Sequence, residues 1–187
     1  MSRHEIEVSN LRFSYPDGHE AIKNISFTIC RGESVGIIGA NGSGKSTLLS
    51  LIIGILFPDK GEVKVGDVPV TKKTLAVIRR KLGMVFQDSD DQLFMTTVFD
   101  DVAFGPRNYK LDENEVKARV EEALEMVGIP HLIDRAPFKL SGGEKRAAAI
   151  ASVLSMKPDV LLMDEPTSGL DPKSRRRLIN ILKGFSH

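Results

Sequence analysis

Gly39-Ala40-Asn41-Gly42-Ser43-Gly44-Lys45-Ser46-Thr47 carries the densest chemistry in the chain. Glycines at these spacings let successive backbone N–H groups turn inward and cradle an anion. Lys45 adds a point charge suited to the β and γ oxygens of a nucleoside triphosphate, and the Ser46 hydroxyl is placed to ligate Mg²⁺. The run fits G-x-x-x-x-G-K-[ST] throughout. It follows an apolar strand-like stretch and precedes a helix-forming one, the context that separates a nucleotide site from a glycine-rich turn with a surface lysine.

Two further stretches bear on the same chemistry. Val160-Leu161-Leu162-Met163-Asp164-Glu165 is a buried strand ending in two carboxylates. Asp164 suits the Mg²⁺ shell, and Glu165 suits polarising water for attack on a γ-phosphate. Successive strand residues point to opposite faces, so both serve one site only if the chain turns at Glu165, which Pro166 favours. The alternative is an acidic strand end before an ordinary turn. Leu140 to Ala151, LSGGEKRAAAIA, opens an Ala-rich helix with a serine and two glycines. Its free N–H groups would admit a phosphate, so it reads either as a second nucleotide site or as a tight helix start with no ligand. No N-K-x-D element that reads guanine is present. Tyr15, near the end of the first strand, would stack on an adenine ring or pack at a sheet edge; beside a phosphate cradle the stacking role is favoured.

These residues need an α/β scaffold, and the chain supplies its parts. Ile6 to Tyr15 alternates apolar and polar with one slip and breaks at Pro16-Asp17-Gly18; Ala21 to Cys30 is a second strand, giving an antiparallel β edge. Ser34 to Gly39, SVGIIG, predicts a short buried parallel strand feeding the glycine loop, with a helix over Lys45 to Ile53. Gly61 to Val70 predicts an edge strand or hairpin, Leu75 to Leu82 a short helix and Gly83 to Gln87 a strand. After the polar loop DSDDQ comes a short helix over Thr97 to Gly105. A longer one spans Asp112 to Val127, with Asp112 as cap, Val116, Val120, Leu124 and Val127 on one face, and Gly128 as its end. The reading is therefore an α/β core of the P-loop NTPase (RecA-like) kind, residues 1–87 and 156–187, interrupted by a helical subdomain over 88–155.

With 187 residues, 41% hydrophobic and 27% charged, the composition is that of a globular domain, and a net charge of +1 gives no sign of a dedicated polyanion binder. The basic run Lys173 to Arg177 reads as a solvated helix face. One cysteine, Cys30, cannot form an internal disulfide and fits a reducing compartment. MSRHEIEVSN lacks the apolar core of a signal peptide, and Leu48 to Phe57 is too short for a membrane span of about 20 apolar residues.

GANGSGKST, Gln87, LSGGEKR and VLLMDEPTSGLD, in that order, resemble the ATP-binding subunits of ABC transporters over essentially the whole chain. The resemblance implies a Mg-dependent ATPase, with ATP and Mg²⁺ bound by two subunits arranged as facing half-sandwiches, identical or paralogous. The LSGG of one would close on the ATP held by the other's glycine loop, Ser141, Gly142 and Gly143 approaching the γ-phosphate in trans. It further implies that Tyr15 stacks on adenine and that Gln87 couples Mg²⁺ and the attacking water to a membrane partner. Asp164 and Ser46 would complete the metal shell, Glu165 would be the catalytic carboxylate, and Asp171 would lie in a loop crossing the dimer interface. Glu144 departs from the commoner glutamine; beside a triphosphate it should point away or pair, with Lys145 or Arg146 as partners.

Val85 to Asn108, VFQDSDDQLFMTTVFDDVAFGPRN, is most similar to the energy-coupling-factor importers, the cobalt and nickel type especially. In that group the helical insertion docks a small transmembrane subunit at the cytoplasmic face of the membrane; Phe94, Phe99 and Phe104 are candidates for the docking surface or are ordinary packing. The family's switch histidine belongs to a strand after the Ser168-to-Asp171 loop. The chain ends in Leu182-Lys183-Gly184-Phe185-Ser186-His187, so the strand is expected beyond it and His187 is not given the role. The alternative function is then a fragment that binds nucleotide and partners but hydrolyses poorly. A chromosome-handling ATPase with the same motifs would need long coiled coils between Lys45 and Ser141, and no sustained heptads occur there, so no nucleic-acid partner is expected.

Overall fold

The computed structural model describes residues 4–168 and 170–184, leaving Gly169 of the SGLD loop and His187 outside the described residues. The chain divides into two compact units that meet at Leu82 and Gly83.

The first unit is built on a four-stranded antiparallel sheet in the order β2-β1-β3-β4, from β1 (His4–Ser14), β2 (Glu20–Cys30), β3 (Lys60–Val65) and β4 (Val68–Pro69). Alternation puts Ile6, Val8, Leu11 and Phe13 on the buried face. The slip between Val8 and Leu11 is a register shift against both neighbouring strands, with Asn10 at φ 48°. A one-residue insertion of this kind restores the following apolar side chains to the core face. Helix α1 (Lys45–Ile52) packs against β2 and β3 and buries Thr47, Leu48, Leu49, Leu51 and Ile52. Helix α2 (Leu75–Lys81) is anchored by the fully buried Ile78.

One predicted element is absent. Residues 34–39 belong to neither sheet, and Val35 and Ile38 are 55% and 97% exposed. A strand is held by its ladder with a neighbour, and an apolar sequence without such a ladder is not a strand.

The second unit holds a two-stranded sheet of β5 (Leu82–Val85) and β6 (Val160–Met163), with α3 (Val98–Asn108), α4 (Glu113–Val127), α5 (Gly142–Leu154) and α6 (Pro172–Gly184). The predicted stripe of α4 is its buried face: Val116, Val120, Leu124 and Val127 are each fully enclosed. Asp112 accepts from the N–H groups of Asn114 and Glu115 at 3.0 and 3.1 Å, and Gly128 at φ 67° ends the helix. The small residues Ala147, Ala148, Ala149 and Ala151 let α5 press against α3 and α4 in one core. Asp101, buried in α3, accepts from the N–H groups of Phe94 and Met95 and ties down the preceding loop.

Candidate functional site

In the first unit, the glycine loop leads into α1 through Gly44 at φ 93°, where a Cβ would lie 2.6 Å from the Ala21 carbonyl oxygen. Only glycine permits that conformation and approach. The loop is exposed from Gly39 through Ser43. The Lys45 ammonium donates to the carbonyls of Gly39 and Ala40 at 3.1 and 3.0 Å, so its charge is held over the loop's own backbone. Ser46 is exposed, whereas Thr47 is buried. Tyr15 shares a hydrogen bond of 2.9 Å with the Thr47 hydroxyl and meets Phe13 edge-on at 5.0 Å between ring centroids, leaving its ring 36% exposed. The end of the first strand and the start of α1 are thereby fixed to each other.

The remaining candidates belong to the second unit. β6 leads to Asp164, which is 7% exposed and donates its N–H to the Val85 carbonyl at 3.0 Å. Glu165 follows at φ 41°, a left-handed conformation uncommon for a residue with a Cβ. The turn predicted at Glu165 is therefore present, and it breaks the strand alternation between the two carboxylates. Gln87, just beyond β5, donates from Nε2 to the Glu165 carboxylate at 3.2 Å. Residues far apart in sequence meet here at the ends of paired strands.

The LSGG stretch folds as a capping box. Ser141 caps α5, accepting from the Glu144 N–H at 3.4 Å, while the Ser141 N–H and hydroxyl both donate to the Glu144 carboxylate at 2.8 Å. Those bonds, first from the N–H and then from the hydroxyl, hold the Glu144 carboxyl below its usual range. Of the two alternatives for Glu144, pointing away or pairing with Lys145 or Arg146, the pairing with those two side chains does not occur; Glu144 is bonded by Ser141. Lys145 bonds Asp90 at 2.6 Å, and Arg146 turns inward to backbone carbonyls. The S-x-x-E spacing is the signature of such a box, because its fourth residue reaches back to the first backbone N–H, but the sequence reading treats Glu144 only as a departure from glutamine.

At Gly143 a Cβ would lie 2.6 Å from the Ser174 hydroxyl, so glycine lets α5 start against the start of α6. Asp171 stands before Pro172, accepting from the Ser174 hydroxyl at 2.5 Å and from the N–H groups of Lys173 and Ser174 at 2.9 and 3.2 Å. The Ser174 hydroxyl is the chief cause that holds its carboxyl low. Lys173, Arg175, Arg176 and Arg177 are exposed along α6, as the basic run predicted. Of the three phenylalanines, Phe94 and Phe104 form an exposed edge-to-face pair with centroids 5.0 Å apart; Phe99 packs against the helical core instead.

The sequence reading missed two groups. Arg146 is 4% exposed and sits on the apolar face of α5, a charged residue where alanines flank it; that position was the available signal. Gln92 bridges the loop after β5 to α5, and nothing in DSDDQ marked it out.

Residues 22–168 match the ABC transporter family. A Geobacter sulfurreducens protein named as an ABC transporter ATP-binding protein is 58% identical over 187 residues, covering all of this chain and 75% of that protein. The energy-coupling factor transporter ATP-binding protein EcfA of Methanothermobacter thermautotrophicus is 51% identical over 183 residues, 97% of this chain and 59% of that one. Among solved structures, cbiO1 from Clostridium perfringens, part of the ABC transporter complex cbiONQ, superposes with a TM-score of 0.88 at 42% identity, covering 99% of this chain and 74% of that chain.

Proposed function

The chain belongs to the ABC transporter family, and from that premise we propose that it is the ATP-hydrolysing subunit of a membrane importer of the energy-coupling-factor type, carrying cobalt or nickel ions or a vitamin. The similarity to EcfA and to cbiO1, and the match of the Gln87 region to that subgroup, support the narrower assignment. The functional division would follow the α/β core, residues 1–87 and 156–187, and the helical subdomain over 88–155.

The observation that carries the reading is the contact of Gln87 with Glu165 beside the buried Asp164. In this reading Tyr15 stacks on the base. Gly39, Ala40, Asn41, Gly42, Ser43 and Gly44 enclose the phosphates with backbone N–H groups, and Lys45 leaves its loop carbonyls for the β and γ oxygens. The Ser46 hydroxyl, the Gln87 amide oxygen and the Asp164 carboxylate are hard oxygen donors, the kind Mg²⁺ takes alongside phosphate oxygens. Bound there, Mg²⁺ would neutralise charge on the phosphates. Gln87 donates through its nitrogen, so its oxygen is the atom left for the metal. Glu165 accepts a proton from the water that attacks the γ-phosphorus, as the bond to the ADP oxygen breaks. Ser141, Gly142 and Gly143 of a second subunit close on the γ-phosphate, with Asp171 at the same interface. The exposed Phe94–Phe104 pair would dock the transmembrane subunit at the cytoplasmic face of the membrane.

Single-turnover ATP hydrolysis with light scattering, on the wild-type chain and on Glu165→Gln, tests this. Removing a positioned general base is expected to slow cleavage by about 10²- to 10⁴-fold, while the variant accumulates as an ATP-bound dimer. Equal cleavage by the two proteins would remove Glu165 from the mechanism.

A further inference from the structure

Arg146 lies in the second turn of α5 and is 4% exposed, yet among the described residues it has no carboxylate partner within hydrogen-bond distance. Its guanidinium is solvated by main chain instead. Nη1 donates to the carbonyls of Phe86 and Gln87, the latter at 3.1 Å, and Nη2 donates to the carbonyl of Asp164 at 3.2 Å. The three acceptors lie just beyond the ends of β5 and β6, where the chain carries Gln87 and the Asp164-Glu165 pair. Nε is buried with no hydrogen-bond partner, and burial draws the guanidinium pKa down. A charge placed this way is costly unless the geometry it imposes is useful.

Gln92 completes the attachment from the other side. The Phe86 N–H donates to Gln92 Oε1 at 3.2 Å, and Gln92 Nε2 donates to the Ala149 carbonyl at 2.7 Å and the Ser152 hydroxyl at 3.0 Å. Positions 146, 149 and 152 share one face of α5. Phe86 is therefore held through both its carbonyl and its N–H, by Arg146 and by Gln92, to the helix that begins with Ser141-Gly142-Gly143.

We propose that Arg146, with Gln92 in support, is the positioning residue that makes the LSGG helix, the Gln87 loop and the Asp164-Glu165 turn a single body. Displacement of α5 when Ser141 and Gly143 engage a γ-phosphate then reaches the carboxylate and amide that act on water. The proposal rests on the hydrolytic roles given above to Gln87 and Glu165. It adds that hydrolysis depends on a side chain that touches neither nucleotide nor water. A lysine cannot replace it, because one ammonium cannot span three carbonyls that a planar fork reaches.

Steady-state ATPase kinetics on the full chain, with thermal melts and binding of a non-hydrolysable ATP analogue, test this for Arg146→Lys, Arg146→Met and Gln92→Glu. Gln92→Glu keeps the Phe86 acceptor and loses the donors to α5. The expected result is a kcat lowered by about 10- to 100-fold in Arg146→Lys, the scale of a misplaced catalytic group. KM and analogue affinity should stay within about two-fold, since Tyr15 and Lys45 keep their own partners at Thr47, Gly39 and Ala40. Gln92→Glu should move kcat in the same direction by less. Wild-type kcat in Arg146→Lys, alongside an inactive Glu165→Gln, overturns the proposal and leaves the wider reading intact. A kcat loss matched by the folded fraction in all three variants also overturns it, giving Arg146 a structural role only. Full activity in Glu165→Gln removes both.

Discussion

At Glu165 the backbone is held left-handed, at a cost on the order of 1–2 kcal/mol for a residue with a Cβ. Strain of this size persists where the surroundings impose it, and here the preceding residue is the buried Asp164 and the side-chain partner is Gln87. Glu144 shows the opposite economy, a carboxylate beside LSGG satisfied entirely by Ser141. Its folded pKa is lowered, so the stability it contributes is complete above the usual glutamate value and is lost as pH falls through the folded one. Glu144→Ala should therefore melt below wild type at pH 7, and the gap should close as pH drops beneath about 4. Melting curves between pH 3 and 7, on the order of a few pH steps apart, read this directly. Glu144→Gln, which keeps an acceptor for the cap, should lose less at pH 7. The spacing of Ser141 and Glu144 carries the capping-box signature, which the reading of LSGG as a phosphate contact passed over. What was not visible was that the carboxylate would choose the serine over Lys145 and Arg146, because those side chains have acceptors brought by distant parts of the chain.

Among the elements, α4 was legible almost residue by residue, since its cap, stripe and C-terminal glycine are all local. The junction of α5 with α6 was not. Gly142 and Gly143 look alike in sequence, yet a Cβ on Gly142 meets nothing within 4 Å, whereas one on Gly143 meets Ser174. Gly142→Ala should raise stability by about 0.4–1 kcal/mol through the unfolded chain. Gly143→Ala should lower the thermal midpoint, because Ser174 and with it the Asp171 turn must shift; differential scanning calorimetry on the pair checks both signs. Residues 34–39 make the converse point. Their apolar run carries the pattern of a buried strand, but pattern cannot supply a neighbouring strand, and the structure leaves them outside both sheets.

At the scale of the whole molecule, no helix among the described residues is long and apolar enough to cross a membrane. Phe94 and Phe104 are 63% and 40% exposed and meet edge-to-face, an exposed apolar pair. Phe94→Asp should leave ATP hydrolysis by the isolated chain unchanged and abolish stimulation by a reconstituted transmembrane subunit. A vesicle ATPase assay with and without that subunit distinguishes the two. The sequence alone was enough to place the chain in its family and to mark Gly39 to Thr47, Asp164 and Glu165 as the candidates for nucleotide chemistry. Such motifs are contiguous, and their residue types are dictated by phosphate and by turn geometry. Only the tertiary structure decided that Gln87 meets Glu165, that Tyr15 is tied to Thr47, and that Arg146 binds three carbonyls from two strand ends. Those contacts join residues up to 78 positions apart, and the pairing of strands and packing of helices that brings them together is a property of no single stretch of chain.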